Sequence, residues 1–361
     1  MIPISTDHSM EEYVMTRPEA PTPTTSEGVD WDWRQPGDPE GKGWSDTERL
    51  YHRLPARAHG VVPDVVWDLS TYPSSLLVRF RTDAARIAAR WTVGLPELGK
   101  WHMSPAAVSG LDLYGRDDAD RLRWIGTPQP TSYPTNLAAV VEGLDGAMRE
   151  YVAYLPLFNT LESLEIGVEP GAQFEVLPPP GDRPIVYYGT SIIHGAAASR
   201  PGMTVPAQLG RRLGRTVVGL GFSGNGKMEI ELARLIAEID AAVYVVDCLP
   251  NMDAEQITER ALPFVRELRS RRPDVPVLLI EDRTYANAWA RPEMQDRHRT
   301  SRAALAEAHR AANDPGVHYF AGEGLLGEDR EDTVDGSHPT DLGFARMTEV
   351  LTPVLERLLG R

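Results

Sequence analysis

Ser191 follows directly on an apolar run, in Tyr188-Gly189-Thr190-Ser191-Ile192-Ile193-His194-Gly195. Far downstream, Asp335 and His338 stand three residues apart in Asp335-Gly336-Ser337-His338-Pro339. A hydroxyl, an imidazole and a carboxylate are the groups of a nucleophile, its general base and the acid that orients the base. A spacing of three lets one turn of chain bring Asp335 and His338 to the same side. Asn251, in Leu249-Pro250-Asn251-Met252, offers a neutral amide donor suited to an oxyanion. Gly224, in Gly219-Leu220-Gly221-Phe222-Ser223-Gly224, leaves its backbone N–H open to an approaching group. Each alone has a plainer use: a helix N-cap for Ser191, a solvated loop for Asp335, the surface for His338, a turn for Asn251. Together they fill the roles of acyl transfer. Ser191 is the nucleophile, His338 the base and Asp335 the orienting acid, with oxyanion donors from the N–H groups of Ser191 and Gly224 and the Asn251 amide.

Two other readings compete for the glycine segment. Gly219, Gly221 and Gly224 satisfy G-x-G-x-x-G between a strand pattern and a helix pattern, and Asp247 ends the next strand pattern, near where a ribose-binding acid is expected. An NAD(P)-dependent oxidoreductase is therefore the runner-up. Gly221, Gly226 and Lys227 also satisfy G-x-x-x-x-G-K, but Met228 stands where a phosphate loop needs Ser or Thr for magnesium. The dinucleotide reading accounts for this one segment only. Substrate contacts are expected from His194, close to Ser191, and from Arg283, which ends the fourth apolar run in Glu281-Asp282-Arg283. An internal salt bridge is the other use of Arg283. Trp101 and Trp289 are candidates for shaping the pocket, with packing as the commoner use.

These residues need elements that bring their segments together. Apolar runs at 185–188, 216–220, 243–246, 277–280 and 317–320 alternate with helical patterns, such as Met228, Ile230, Leu232, Leu235, Ile236 and Ile239. Buried strands alternating with amphipathic helices predict an α/β fold, a parallel sheet covered on both faces. Ligands sit outside the carboxyl ends of such strands, which is where the chemical residues fall. Residues 46–176 read differently, with period two: Val65, Trp67 and Leu69; Ile87, Ala89, Trp91 and Val93; Leu122 and Trp124; Leu164, Ile166 and Val168. This predicts an all-β sandwich, jelly-roll-like, with no long helix. Leu177-Pro178-Pro179-Pro180-Gly181-Asp182-Arg183-Pro184 is a stiff linker and the expected domain boundary. Residues 1–45, rich in Pro, Thr, Asp and Gly, read as an arm without its own core, which Trp31, Trp33 and Trp44 could dock onto the body.

Composition narrows the partners. The 361 residues include one cysteine, Cys248, which excludes an intrachain disulfide or a cysteine-based metal cluster. Neither H-E-x-x-H nor a histidine cluster argues for a metal. Acidic residues number 52 against 37 basic ones, a net charge of −15 that opposes nucleic acid or anionic lipid as partners. No apolar stretch is long enough to span a bilayer, and the N-terminus lacks the pattern of a secretion signal, so a cytoplasmic location is expected. The oligomeric state is not legible.

The C-terminal half resembles the SGNH (GDSL-like) hydrolases, whose four blocks supply Ser, Gly, Asn and His. Gly189-Thr190-Ser191-Ile192 resembles the first block, and Gly221-Phe222-Ser223-Gly224-Asn225 the second. Pro250-Asn251 resembles the third, and Asp335-Gly336-Ser337-His338-Pro339 the fourth. Thr190 replaces the Asp of the first block, and Met252 the Asp that usually follows the Asn. These departures point to a subgroup with an N-terminal β-sandwich, whose Gly-x-Asp-Leu-Tyr signature resembles Gly110-Leu111-Asp112-Leu113-Tyr114. The resemblance implies a flavodoxin-like three-layer fold without a cofactor and a serine esterase acting on a small-molecule or carbohydrate ester. It implies acyl transfer to an alcohol as the alternative.

Overall fold

In the computed structural model, which describes residues 30–360, the N-terminal half forms nine strands. They are β1 (Asp32–Arg34), β2 (Leu77–Thr82), β3 (Arg86–Val93), β4 (Asp112–Arg116), β5 (Leu122–Gly126), β6 (Thr135–Glu142), β7 (Arg149–Tyr154), β8 (Leu161–Val168) and β9 (Phe174–Val176). They pair antiparallel in two sheets, ordered β1-β8-β3-β6 and β5-β4-β7-β2-β9. The period-two pattern of β3 turns Ile87, Ala89, Trp91 and Val93 into a shared core with Phe80, Tyr151, Leu164 and Ile166.

Two expectations for this half are corrected. Val65, Trp67 and Leu69 lie on a helix, α1 (Asp64–Ser70), and not on a strand. Pro63 sets the backbone for a helix start, and the buried residues Val62, Val66, Trp67 and Ser70 follow helical spacing. Val65 and Leu69, one turn apart, face a cleft. The second correction concerns the arm. Residues 32–34 are an edge strand, with Trp33 opposite Gly167, so they belong to the sandwich. The guanidinium groups of Arg86 and Arg90 lie 4.9 Å and 4.4 Å from the ring centroids of Trp31 and Trp33. Trp44 docks onto the other half, its Nε1 donating to Glu238 Oε2 at 2.9 Å. The rest of the expected arm, residues 1–29, lies outside the described residues.

After α2 (Pro105–Val108) and the stretch 177–184, which carries neither helix nor strand, the apolar runs become parallel strands. These are β10 (Ile185–Gly189), β11 (Val217–Gly221), β12 (Val243–Asp247), β13 (Val277–Ile280) and β14 (Val317–Phe320), in the order β11-β10-β12-β13-β14. The helices are α3 (Ser191–His194), α4 (Val205–Leu213), α5 (Ile230–Ile236), α6 (Ala254–Arg271), α7 (Pro292–Ala312) and α8 (Asp341–Leu358). Alternate strand residues serve opposite faces. Val186, Tyr188, Val246 and Leu279 pack with α5, α6 and α7, while Ile185, Tyr187, Val245 and Leu278 pack with α4 and α8. Both faces being buried explains why the runs are continuously apolar. The chain order reverses direction around β10, and the crevice at that switch point receives the turns after β10, β11 and β12.

The Gly-x-Asp-Leu-Tyr segment holds the two halves together. Asp112 is fully buried. Its Oδ2 accepts from Arg200 Nη1 at 2.7 Å and Gly202 N at 2.8 Å, and its Oδ1 accepts from Trp124 Nε1 at 3.0 Å and Thr127 Oγ1 at 2.9 Å. Tyr114 Oη takes a further bond from Arg200 at 2.6 Å. Gly202 must be glycine here, because a Cβ would lie 2.5 Å from Asp112 Oδ2 and from the Tyr114 ring. Met103, Ala107, Val108, Leu157 and Phe158 extend the α/β core by packing with Ile192 and Ile193.

Candidate active site

β10 ends at Gly189, where a side chain would lie 2.6 Å from Ile193 and 2.8 Å from the Asp247 carbonyl. Thr190 is the N-cap of α3, its hydroxyl accepting from Ile192 N, so Ser191 is not the cap. The Ser191 hydroxyl is left for another partner, and Oγ lies 2.8 Å from His338 Nε2. On the other side of the ring, His338 Nδ1 is 2.7 Å from Asp335 Oδ2. Asp335 Oδ1 accepts from Ser337 N at 2.9 Å and His338 N at 2.8 Å. The turn requires Gly336, at φ +97°, and Ala286 N donates to the Gly336 carbonyl at 2.8 Å to pin it. Burial pushes the Asp335 carboxyl up, but the two backbone N–H groups and the His338 ring outweigh it and hold it below its ordinary value.

The glycine and asparagine turns meet beside this chain. Phe222 N donates to the Gly189 carbonyl at 3.0 Å, and a Cβ on Gly226 would lie 2.2 Å from that same oxygen. Gly224, at φ +70°, is exposed, with open space where a side chain would be. Asn251 Nδ2 donates to the Asn225 carbonyl at 2.6 Å, so one amide proton ties the two turns and the second remains to be used. Arg297 of α7 spans the turn that carries Asn251. Its Nη2 lies 3.1, 2.8 and 3.3 Å from the carbonyls of Leu249, Pro250 and Met252, and its Nη1 2.9 Å from Asp282 Oδ2.

His194 and Arg283 are not substrate contacts. The His194 side chain is fully buried, with Nε2 donating to the Leu157 carbonyl at 2.8 Å and the ring stacked 4.1 Å from Phe158. Burial first, then the nearby Arg53 charge, hold it well below its ordinary pKa and therefore neutral. Arg283 is equally buried and takes its salt-bridge role, with Nη2 3.0 Å from Asp247 Oδ1. That pair also removes the acid of the dinucleotide reading, since Asp247 is enclosed with Arg283 and Tyr187 and cannot reach a ribose. The glycines of that reading serve internal packing. A Cβ on Gly219 would lie 2.2 Å from Ser75 Oγ, and one on Gly221 2.1 Å from His194 N.

A cleft of about 460 Å³ opens beside His338 and Ser223. Most of its wall comes from the N-terminal half: Val65, Leu69 and Tyr72, then Glu97, Lys100, Trp101 and His102, and Phe158. The His102 ring lies 6.3 Å from that of His338. Trp101 is 81% exposed at the cleft, while Trp289, also exposed, does not line it. Of these wall residues, sequence reasoning singled out only Trp101. Val65 and Leu69 were hidden by the strand reading, and no motif marks His102.

The profile of the GDSL-like Lipase/Acylhydrolase family matches residues 182–356, and that of the GxDLY N-terminus of SGNH-hydrolase-type esterases matches residues 31–174. A crystal structure from Bacteroides ovatus described as a GDSL-like lipase is 34% identical, with a TM-score of 0.86, over 92% of this chain and 98% of that one. A salicylyl-acyltransferase from a tetracycline biosynthetic pathway shares the fold at 20% identity, with a TM-score of 0.71, over 91% and 97% of the two chains. So does a family two carbohydrate esterase from Clostridium thermocellum, in complex with cellohexaose, at 15% identity and a TM-score of 0.52, over 79% and 92%. A search of curated proteins gives no match. With the first of these similarities running through nearly the whole of both chains, and with both halves matched by profiles, the chain belongs to the GDSL-like lipase/acylhydrolase family and is an ester-hydrolysing enzyme.

Proposed function

We propose that this enzyme is a serine deacylase for acylated hydroxyl-rich molecules, a sugar or a natural product, acting through an acyl-Ser191 intermediate. The observation that carries the assignment is the unbroken chain from Ser191 Oγ through His338 to Asp335. The Asp335 carboxylate holds the His338 proton on Nδ1, which leaves the Nε2 lone pair facing Ser191. Oγ attacks the ester carbonyl carbon as its proton passes to Nε2, and the carbonyl electron pair moves onto oxygen. That oxyanion is met by the N–H groups of Ser191 and Gly224 and by the second Asn251 amide proton. Collapse breaks the bond to the alcohol oxygen, which takes the proton from Nε2. Water then gives a proton to His338 and attacks the acyl carbon; as that adduct collapses the bond to Ser191 Oγ breaks, His338 returns the proton to Oγ, and the carboxylic acid leaves.

The cleft supports the substrate class. Trp101 presents an indole for stacking on a ring, and Glu97, Lys100 and His102 offer polar partners for hydroxyl groups. Its volume of about 460 Å³ also admits an alcohol in place of the attacking water, which gives acyl transfer by the same steps. Ser191→Ala should abolish both hydrolysis of 4-nitrophenyl acetate and labelling by a fluorophosphonate. Labelling that persists in the variant assigns the nucleophile to another serine. Adding a polyol to the wild-type reaction and measuring the ratio of ester to free acid separates transfer from hydrolysis.

A further inference from the structure

Arg53 is a fully buried guanidinium that forms no salt bridge to a carboxylate among the described residues. Its donors all go to backbone carbonyls, and those carbonyls belong to two different elements. Nη2 lies 2.7 Å from Leu69 O and Nε 2.8 Å from Tyr72 O, at the C-terminal end of α1. Nη1 lies 2.9 Å from Gly221 O and 3.2 Å from Gly219 O, at the C-terminal end of β11. Its carbon sits 5.1 Å from the Phe222 ring centroid. Burial pulls the group down to about 9, still above neutrality, so the cation persists.

The two sets of carbonyls are open to Arg53 for different reasons, and the Leu69 carbonyl also accepts from Tyr72 N at 3.4 Å. The last carbonyls of a helix have no intrahelical donor and carry its partial negative charge, which stands in for a carboxylate. Among the described residues β11 is an edge strand, paired only with β10. Carbonyls two residues apart on a strand point the same way, so those of Gly219 and Gly221 both face the open edge. Arg53 replaces the missing neighbouring strand at the point where β11 runs into Phe222-Ser223-Gly224. One side of this fork holds the helix whose Val65 and Leu69 line the cleft, and the other holds the turn that carries Gly224. The turn is further coupled to Asn251 through the Asn225 carbonyl.

We propose that Arg53 is a positioning residue for ester hydrolysis, fixing the Gly224 turn against the cleft wall so that the oxyanion donors stay in register with Ser191. This rests on the serine mechanism proposed above. Oxyanion donors act only at the transition state, and a displacement of about 1 Å is enough to weaken them. Losing the fork should therefore lower kcat and not KM.

The test compares Arg53→Lys and Arg53→Met with Arg79→Met in the full chain. Arg79 is a control that does not line the cleft, bonded to Glu40 and the Pro178 carbonyl. With 4-nitrophenyl acetate, both Arg53 variants should lose about 10- to 100-fold in kcat with KM nearly unchanged. Phenylboronic acid, which forms a tetrahedral adduct with the serine, should bind more weakly by a similar factor. Arg79→Met should lower the melting temperature and leave both readouts as in the wild type. Should Arg53→Met fail to fold, Arg53→Lys, which keeps the charge without the fork, carries the comparison. Folded Arg53 variants with wild-type kcat and boronate affinity overturn the proposal. So does a kcat loss that Arg79→Met reproduces. A wild-type protein that neither hydrolyses the ester nor reacts with fluorophosphonate overturns the serine mechanism itself, and the proposal with it.

Discussion

Thr190 and Ser191 divide two tasks that a single hydroxyl cannot perform together. Thr190 caps the short helix, and Ser191 keeps its hydroxyl for His338. The Asp335–His338 turn is local, three residues around a glycine, which is why sequence spacing could find it. His194 and Arg283 could not be placed that way. Their direction depends on what packs against them, and both turn inward to fill polar needs of the core. The ionisations lead to a pH prediction. Asp335 is held below its ordinary value, so it stays ionised at neutral pH. His102, lowered chiefly by burial, is uncharged at neutral pH and does not oppose the His338 imidazolium of the transition state. The kcat/KM of the wild type should therefore rise with pH through a single ionisation to a plateau. Asp335→Asn should lower kcat by roughly 10³–10⁴. Its oxygen is claimed by the Ser337 and His338 N–H groups, which turns the amide donor toward Nδ1 and forces the ring proton onto Nε2. A fully active Asp335→Asn enzyme shows instead that another group orients His338.

At the scale of elements, α1 shows how one short pattern serves two surfaces. Val66 and Trp67 enter the core while Val65 and Leu69 face the cleft, and read along the chain the three alternate residues 65, 67 and 69 mimic a strand. Seven residues are too few for periodicity to separate the two cases. The Gly-x-Asp-Leu-Tyr segment of β4 is a latch, with Asp112 satisfied by four donors, two of them from the other half. Asp112→Ala leaves the Arg200 guanidinium partly buried without its carboxylate and empties the acceptor site of Gly202 N. It should cost on the order of 3 kcal/mol of stability. Urea unfolding monitored by tryptophan fluorescence checks this, and an unchanged midpoint denies the latch its role.

For the whole molecule, the N-terminal half is part of the catalytic unit. It supplies most of the cleft wall, the Arg53 fork, and residues such as Met103, Val108 and Phe158 to the core that surrounds Ile192 and Ile193. A fragment of residues 184–361 should therefore expose an apolar face, aggregate, and hydrolyse even 4-nitrophenyl acetate poorly. Its solubility and kcat, measured beside the full chain, check this. A soluble fragment of full activity means that the sandwich acts only at a distance.

What the sequence determined by itself was local. Five apolar runs became five parallel strands because burial on both faces leaves little room for polar residues in β10, β12 or β13, and Asp247 at the end of β12 is accommodated by its pairing with Arg283. Ser191, Asn251 and Asp335–His338 were legible because strand ends and short turns fix where those groups emerge. The tertiary structure alone decided which half walls the cleft, why Gly219 and Gly221 must lack side chains, and where Arg53 and Arg297 spend their hydrogen bonds. Those outcomes join residues more than a hundred positions apart in some cases, as with Arg53 and Gly221. They are set by close packing and by the need to pair every buried polar group, neither of which leaves a periodic mark on the chain.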